Sequence, residues 1–342
     1  MLIFLISSAI VLLADLLITY QIYREIKVRR EVSGNQGGFA SVIIPVRGLD
    51  VNAEENLKSL LSQDYSAYEV IYVVDDENDP IVPILRKYNV KVVVSNKNCD
   101  ICSGKINAQL EGLKHARGDI IVFADSDTWF PKYWLKELVS PLSNYVATTV
   151  FSWAKPVRLT IGNIIRAGFW TLGFESQAVG GTFLWGGSMA FKREFFDERV
   201  IQELKTQWCD DCTLTRIAKE RGKLGFVFNA MPLNFYDETQ LITWSKRQLI
   251  TVWRYSRRGV NGFIIVAIFM LAFLFLIPFN VFAITPFIFW VFKNILRSYK
   301  IGLSNSIIPS LASILAIFYS LFLIALTLRE KNIIWRGKIY KV

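Results

Sequence analysis

The chain is nearly without histidine: His115 is the single one among 342 residues. Nucleophile–histidine pairs and histidine-built metal sites each need an imidazole at the chemistry. His115 lies in a helix-like stretch before "ARGD", away from every acidic cluster, and reads as a surface residue. A carboxylate therefore has to serve wherever a base is needed. Acid is also in short supply, 29 Asp and Glu against 39 Lys and Arg, for a net charge of +10. The excess lies beside apolar segments, and no RNA- or DNA-binding motif accompanies it. That distribution fits anionic lipid headgroups better than nucleic acid, with a topology signal alone as the alternative for part of it. Cysteine is scarce: four residues form two C-x-x-C pairs, Cys99/Cys102 and Cys209/Cys212. The pairs stand too far apart for the usual zinc-ribbon spacing.

What the chain has in abundance is apolar residues, at 52% hydrophobic content. Residues 2–22, "LIFLISSAIVLLADLLITYQI", are long enough to cross a bilayer as a helix. No small-residue cleavage site follows, so the segment reads as a transmembrane anchor. The basic stretch "YREIKVRREV" after it places the next residues on the cytoplasmic side by the positive-inside rule. On that side stable disulfides are disfavoured. Free thiols are the favoured state of the four cysteines, with zinc and disulfide left open. A C-terminal region, 261–328, holds the apolar blocks 262–292 and 304–328, as two or three helices. The first block, with Pro278 and Pro286, is either one kinked span, which is favoured, or a hairpin that would put "KNILRSYK" inside. A basic tail, 329–342, closes the chain.

Between the anchors, residues 33–237 have the composition of a globular domain. "ASVIIPV", "YEVIYVVDD", "VKVVVS" and "DIIVFAD" read as strands, separated by helix-like stretches such as "NAEENLKSLLSQD" and "KINAQLEGLKHA". Strand and helix in alternation argue for an α/β fold with a mostly parallel, helix-covered sheet. Ligands in such sheets bind at the carboxyl ends of the strands. Asp75 and Asp76 end the second strand, and Asp125 and Asp127 the fourth, so both acid pairs fall on one edge. Carboxylates ending a buried strand are costly unless paired or metal-bound, and oxygen ligands suit Mg²⁺ or Mn²⁺. A plain Asp turn, with Asp127 capping the helix after it, is the alternative.

The segments "SVIIPVRGLD", "NLKSLLSQDYSAYEVIYVVDDENDP", "CSGKINAQLEGL", "ADSDTWF", "WCDDCTLTRIAKERG" and "WRGKIY" together carry a resemblance. The chain resembles family 2/21-type glycosyltransferases of the GT-A fold, most closely the ceramide glucosyltransferase group. The resemblance implies a Rossmann-like catalytic domain on the cytoplasmic side of an integral membrane protein. It implies contact with the nucleotide by Asp76, with Asp75 beside it, and a metal and diphosphate site at Asp125 and Asp127. It makes Asp211 the candidate general base and Asp210 its supporting neighbour. Lys105 and Asn107 match the segment approaching the donor diphosphate; for Lys105 a solvated helix-start lysine is the alternative.

The group's Q/R-x-x-R-W motif is altered here to "TWSKRQLITVWRYSRRG". Gln248, Trp253 and Arg254 are the candidates near the leaving diphosphate or the acceptor. Residues 238–260 also read as an interfacial amphipathic helix, with Trp244, Leu249, Ile250 and Trp253 toward lipid and the basic residues toward headgroups. Gly187 and Ser188, in "WGGS", either let backbone approach the sugar or acceptor or form a simple turn. The implied activity is metal-dependent, inverting transfer of a hexose from a nucleotide sugar, a UDP-hexose by preference, to a membrane lipid hydroxyl. A polyprenyl-phosphate sugar or polysaccharide synthase of the same fold, and a non-catalytic membrane scaffold, are the alternatives.

Overall fold

The computed structural model describes residues 1–178, 183–327, 330, 332–335 and 338–341. They form two compact units. One comprises Val28–Trp153 and Thr182–Tyr236, the other Met1–Lys27, Ala154–Gly181 and Asp237–Val342. Residues 154–178, inside the span expected as one catalytic domain, thus belong with the apolar helices.

The first of these units is built on strands β1 (Ala40–Pro45), β2 (Tyr68–Val74), β3 (Lys91–Val94), β4 (Ile120–Ala124), β5 (Thr128–Trp129), β6 (Ala147–Thr149), β8 (Ser188–Lys192), β9 (Leu224–Phe226) and β10 (Leu233–Tyr236), and β7 (Trp153–Pro156) starts at its boundary. The main sheet has the order β3-β2-β1-β4-β8-β6-β9. β1 to β4 run parallel, and Ala40 stands opposite both Tyr68 and Ile120. β8 is antiparallel to β4 and to β6. β4 is buried along its whole length, as an apolar run covered on both faces must be. β5 pairs with β10 apart from this sheet, and β7 leads the chain into the other unit.

Helices fill the connections. α1 (Leu2–Glu31) precedes β1, and α2 (Ala53–Leu61), α3 (Val82–Lys87) and α4 (Gly104–His115) follow the first three strands. α5 (Trp134–Val139) follows β5, and α6 (Ile161–Thr171) and α7 (Gly173–Ala178) follow β7. α8 (Glu198–Leu204) and α9 (Asp210–Arg221) lie between β8 and β9. After β10 come α10 (Leu241–Tyr255), α11 (Arg257–Leu276), α12 (Thr285–Ser298) and α13 (Leu303–Thr327). α4 lies tight on the sheet because Gly112 has no side chain: a Cβ there would fall 2.3 Å from Ile43 Cγ2. Ser103 caps α4 by accepting the Ile106 N–H at 3.3 Å. Together these fix the first turn of α4, and with it Lys105, at the carboxyl edge of the strands.

Among the described residues, four helices are long and apolar enough to cross a membrane: Phe4–Arg29, Arg257–Leu276, Val281–Ile301 and Leu303–Thr327. Leucine, isoleucine and phenylalanine stand exposed along them, Leu12, Leu16, Phe269, Phe275 and Leu315 among them. Apolar surface on that scale needs a non-aqueous neighbour. The structure corrects several expectations. The anchor helix runs to Glu31, well past residue 22. The 262–292 block is two helical segments, parted around Ile277–Asn280, and not one kinked span. The apolar side of α10 is covered by protein: Leu249 is buried with Val260, Leu323 and Ile324, and Trp253 packs on the same cluster. α6 meets α13 closely enough that a Cβ on Gly168 would fall 2.2 Å from the Ala312 carbonyl oxygen. Of the tail, β11 (Asn332–Trp335) and β12 (Lys338–Lys341) form a hairpin, whereas Arg329, Lys331, Arg336, Gly337 and Val342 lie outside the described residues.

Lys293 and Arg297, of the "KNILRSYK" stretch that bears on topology, are fully buried. The Arg297 guanidinium binds both oxygens of Glu25, at 2.9 Å and 3.1 Å from Nε, and the Glu175 carboxylate. Lys293 Nζ donates to Glu175 Oε2 at 2.8 Å and to Gln21 Oε1 at 3.1 Å. The four charges cancel, which is why an apolar helical unit tolerates them. Removing one partner strands the others without water. Arg297→Met is expected to destabilise the protein by about 3–5 kcal/mol, the usual cost of breaking a buried pair. A detergent melt would check it, and an unchanged midpoint would mean the cluster is solvated.

Candidate active site

The carboxyl edge of the sheet collects Lys105 from α4, Asp125 from the end of β4 and Asp210 and Asp211 from the first turn of α9. Lys105 is no solvated lysine: its side chain is 16% exposed. Its Nζ lies 2.7 Å from Asp125 Oδ1 and 3.4 Å from Asp210 Oδ2, and donates to the Gly186 carbonyl at 3.2 Å. Burial works against this ammonium, but Asp125, Asp210 and Asp211 outweigh it and raise its pKa above the ordinary lysine value. The Gly186 N–H donates to Asp211 Oδ2 at 3.1 Å. Burial first, and Asp210 beside it second, push the Asp211 carboxyl up to about 7. Lys105 and the N–H groups of Gly186 and Cys212 pull the other way.

Gly186 brings the backbone close against this cluster. A Cβ there would meet Lys105 Nζ at 2.8 Å, Asp210 Oδ2 at 3.0 Å and Asp211 Oδ2 at 3.3 Å. At Gly187 a Cβ would meet the Trp185 ring at 2.3 Å and Asp125 Oδ2 at 2.7 Å. The "WGGS" glycines form a tight turn, closed by the Ser188 N–H on the Trp185 carbonyl at 2.9 Å, that lies close against Lys105 and the acids. Ser188 is different. It is wholly buried, and its hydroxyl accepts the Trp134 indole N–H at 2.7 Å, so it supports β8 and does not face donor or acceptor.

The other expected residues are placed as follows. Asp76 Oδ1 accepts from Asn78, from the backbone N–H at 2.7 Å and from Nδ2 at 3.0 Å. Asp75 lies exposed, 3.8 Å from Arg47 Nε. Asp127 follows β4, and its Oδ1 accepts from the Thr128 hydroxyl at 3.2 Å. It does not cap the helix after it, where α5 has no side-chain cap. Asn107 does not join Lys105. Its Nδ2 donates to Ser95 Oγ at 2.7 Å and to the Asn96 carbonyl at 2.8 Å, and its Oδ1 accepts the Asn98 N–H at 2.7 Å, so it fastens the loop after β3. Gln248, Trp253 and Arg254 lie on α10, in the other unit. His115 pairs at 3.3 Å with Glu111.

Both C-x-x-C pairs are disulfides, Cys99–Cys102 and Cys209–Cys212, not the expected free thiols. Cα separations of 5.8 Å and 5.5 Å are ordinary for that bond. Three residues escaped the sequence reading. Gln109 is buried and donates from Nε2 to Asp210 Oδ2 at 2.8 Å. It lies one helical turn beyond Lys105, which was the available signal. Asp79 accepts the Gly48 N–H at 2.8 Å, at a positive φ of 80°, and so ties "RGLD" to "DENDP". Asp50, in the same segment, accepts from the Ser126 hydroxyl between the two strand-end acids.

As a donor set, Asp125 and Asp127 fit a hard divalent cation. Both offer only oxygen, and the Lys105 ammonium is outnumbered by the carboxyl groups of Asp125, Asp210 and Asp211, which such an ion would help to offset.

The chain resembles known proteins both in sequence and in fold. It is 30% identical over 138 residues to a ceramide glucosyltransferase of Candida albicans, covering 35% of this chain and 25% of that one. It is 33% identical over 113 residues to a dolichol-phosphate mannosyltransferase of Pyrococcus furiosus, 30% of each chain. These curated relatives are thus matched over only a quarter to a third of their length. A mannosyltransferase of Pyrobaculum calidifontis, solved with GDP-Man and Mn²⁺, shares the fold over 95% of this chain and 89% of its own, with a TM-score of 0.50 and 20% identity. The model of glycosyl transferase family 21 matches residues 7–342. The chain has the GT-A fold and, with its helices long and apolar enough to cross a membrane, belongs to glycosyl transferase family 21.

Proposed function

We propose that the enzyme moves a hexose from a nucleotide sugar, a UDP-hexose by preference, to the hydroxyl of a membrane lipid, in one displacement that inverts the anomeric centre. One observation carries the reading. A carboxyl pushed up to about 7, Asp211, stands in a buried cluster with Lys105 and Asp125 at the carboxyl edge of the sheet. A base with its pKa near the working pH is the best proton acceptor. In the reaction, Asp211 takes the proton of the acceptor hydroxyl as its oxygen attacks the sugar. Asp210, held by Gln109 and Lys105, stands beside Asp211 and raises its basicity. The Lys105 ammonium faces Asp125 and stands ready for the diphosphate oxygens. Gly186 and Gly187 leave the sugar room. A divalent ion held by Asp125 and Asp127, when bound, would offset the charge of the departing diphosphate. Asp76 and Asp75 are assigned to the nucleotide.

Domain limits follow from the same reading. The catalytic part falls within 33–237, tethered by the apolar helices, which raises the local concentration of a lipid acceptor. The basic run after the first helix puts it on the cytoplasmic side.

The test is transfer from labelled UDP-glucose, UDP-galactose, UDP-GlcNAc and GDP-mannose to total lipids by the full chain in detergent, with Mg²⁺ or Mn²⁺ and then with EDTA. A chloroform-soluble labelled product that disappears with EDTA is the expected result. A product that survives EDTA overturns the metal, and label on a polyprenyl phosphate overturns the acceptor class. The second outcome has its own support in the Pyrococcus furiosus relative.

A further inference from the structure

The two disulfides do not sit at random. Cys102 immediately precedes Ser103, the cap of the helix that bears Lys105. Cys209 is itself the residue before α9, which bears Asp210 and Asp211. The Ser103 N–H donates to the Gln207 carbonyl at 3.2 Å and ties the two segments together. In the second pair a carboxylate lies beside both sulfurs. Asp211 Oδ1 lies 3.1 Å from Cys209 Sγ and 3.5 Å from Cys212 Sγ. Its other oxygen, Oδ2, is occupied by the Gly186 N–H. Candidate ligand atoms of Cys209, Asp211 and Cys212 all lie within 4.8 Å of one another, the one such group of three among the described residues.

We propose that Cys209, Asp211 and Cys212 form a binding site for a thiophilic divalent cation of the zinc or cadmium class, opened by reduction of the Cys209–Cys212 disulfide. The chemistry balances with a dithiol as reductant. Two S–H groups of the dithiol become its cyclic disulfide, the Cys209–Cys212 bond breaks, and each cysteine gains a hydrogen. The cation then displaces the two thiol protons. Zinc–sulfur bonds of about 2.3 Å place tetrahedral ligands about 3.8 Å apart. A pair of cysteines three residues apart at the start of a helix can open to that distance with little backbone movement. Asp211 Oδ1 supplies the third ligand, and solvent the fourth. The N-terminus of α9 favours the thiolates that the cation needs.

Ligand softness separates this site from the one at the end of β4. Thiolates select zinc and its congeners, whereas Asp125 and Asp127 offer oxygen alone and suit magnesium or manganese. The two cation classes would therefore have different addresses a few side chains apart, and the thiophilic ion would take Asp211 away from the acceptor hydroxyl. That last consequence rests on Asp211 being the base, as proposed above; the site itself does not.

The probe is Co²⁺, whose thiolate charge-transfer band reports sulfur ligation directly. The full chain in detergent is compared oxidised and after treatment with an immobilised dithiol that is then removed, with Zn²⁺ as competitor. Reduced protein is expected to show the band at stoichiometric Co²⁺ and to lose it to Zn²⁺, whereas oxidised protein shows none. Cys209→Ser/Cys212→Ser should abolish it, which excludes the other pair as its source, and Asp211→Asn should weaken binding at least tenfold. Circular dichroism of each form checks that it is folded. No band in folded, reduced wild type overturns the proposal, as does a band unchanged in the double variant. Transfer is read on the same samples. Loss of transfer on adding Zn²⁺ to reduced enzyme alone, restored by a chelator, supports the site and its consequence. Stoichiometric binding with undiminished transfer upholds the site and removes Asp211 as base.

Discussion

Asp211→Asn is expected to lower transfer by about 10²–10⁴-fold, the usual worth of a positioned base, and at the same time to raise the melting temperature. The two effects have one cause. Asparagine keeps the shape of the carboxylate and can still accept the Gly186 N–H at Oδ1, but it cannot take a proton from the acceptor. Donor binding should survive, since nucleotide and diphosphate are assigned to other residues. The stability gain follows from the raised carboxyl. An unfolded aspartate titrates near about 3.9, whereas Asp211 in the fold holds its proton up to about 7. Between those values the folded protein binds a proton that the unfolded chain has released, so stability falls as pH rises through that window. Above it the cost is complete. The variant carries none of this cost, so its melting point should exceed that of wild type at pH 8 and converge on it toward pH 4, measured in EDTA. A lower melting point at pH 8 would mean that the carboxylate holds the fold together and is not strained for chemistry. Wild-type kcat/KM should rise with pH through about 7, because the base works deprotonated. A flat profile there would remove Asp211 from that role.

How much of this was legible in the sequence depends on the kind of signal. The parallel core was plain: "SVIIP", "VIYVV" and "IIVFA" are uninterrupted apolar runs, and only strands covered on both faces read that way. The acids ending those runs were plain for the same reason, since a carboxylate beside a buried strand has to have a use. The family was legible because several motifs stood in order. The membrane-helical half was harder. An amphipathic pattern shows that a helix has an apolar side, but not whether lipid or protein covers it. α10 therefore read as interfacial, although Leu249 and Ile250 are buried. Lys293 and Arg297 looked like a topology signal because the partners that neutralise them, Glu25 and Glu175, are more than a hundred residues away in the chain.

Within the site, the first turn of α4 is instructive. Lys105 and Asn107 are neighbours in sequence, but two residues along a helix is over half a turn, so they face different ways. Gln109, four residues on from Lys105, shares its face and reaches Asp210. Reading the helix by its period would have chosen Gln109 over Asn107. Ser188 shows the matching lesson for a strand: it is the first residue of β8, fully buried, and its hydroxyl serves Trp134.

Lys105→Met should be the second large effect, with transfer down by about 10²-fold or more. Part of that loss is the missing diphosphate partner, and part is electrostatic within the protein. The Lys105 ammonium is the nearest positive charge to Asp125, Asp210 and Asp211, and it lowers the Asp211 carboxyl against burial and against Asp210. Removing it leaves those two influences unopposed. The pH at which residual transfer rises should therefore move upward, by about one unit or more. A merely structural loss would reduce the rate without moving that pH. Gly186→Ala separates the charge from its position. The new Cβ would press on Nζ from 2.8 Å, and because the end of a lysine is flexible, the ammonium shifts and stays. The rise in that variant should move in the same direction by less than in Lys105→Met. If it moves equally far, the position of the ammonium, and not its charge alone, sets the basicity of Asp211. If neither variant moves it, Lys105 serves the diphosphate only, and burial beside Asp210 is sufficient to bring Asp211 to its working value.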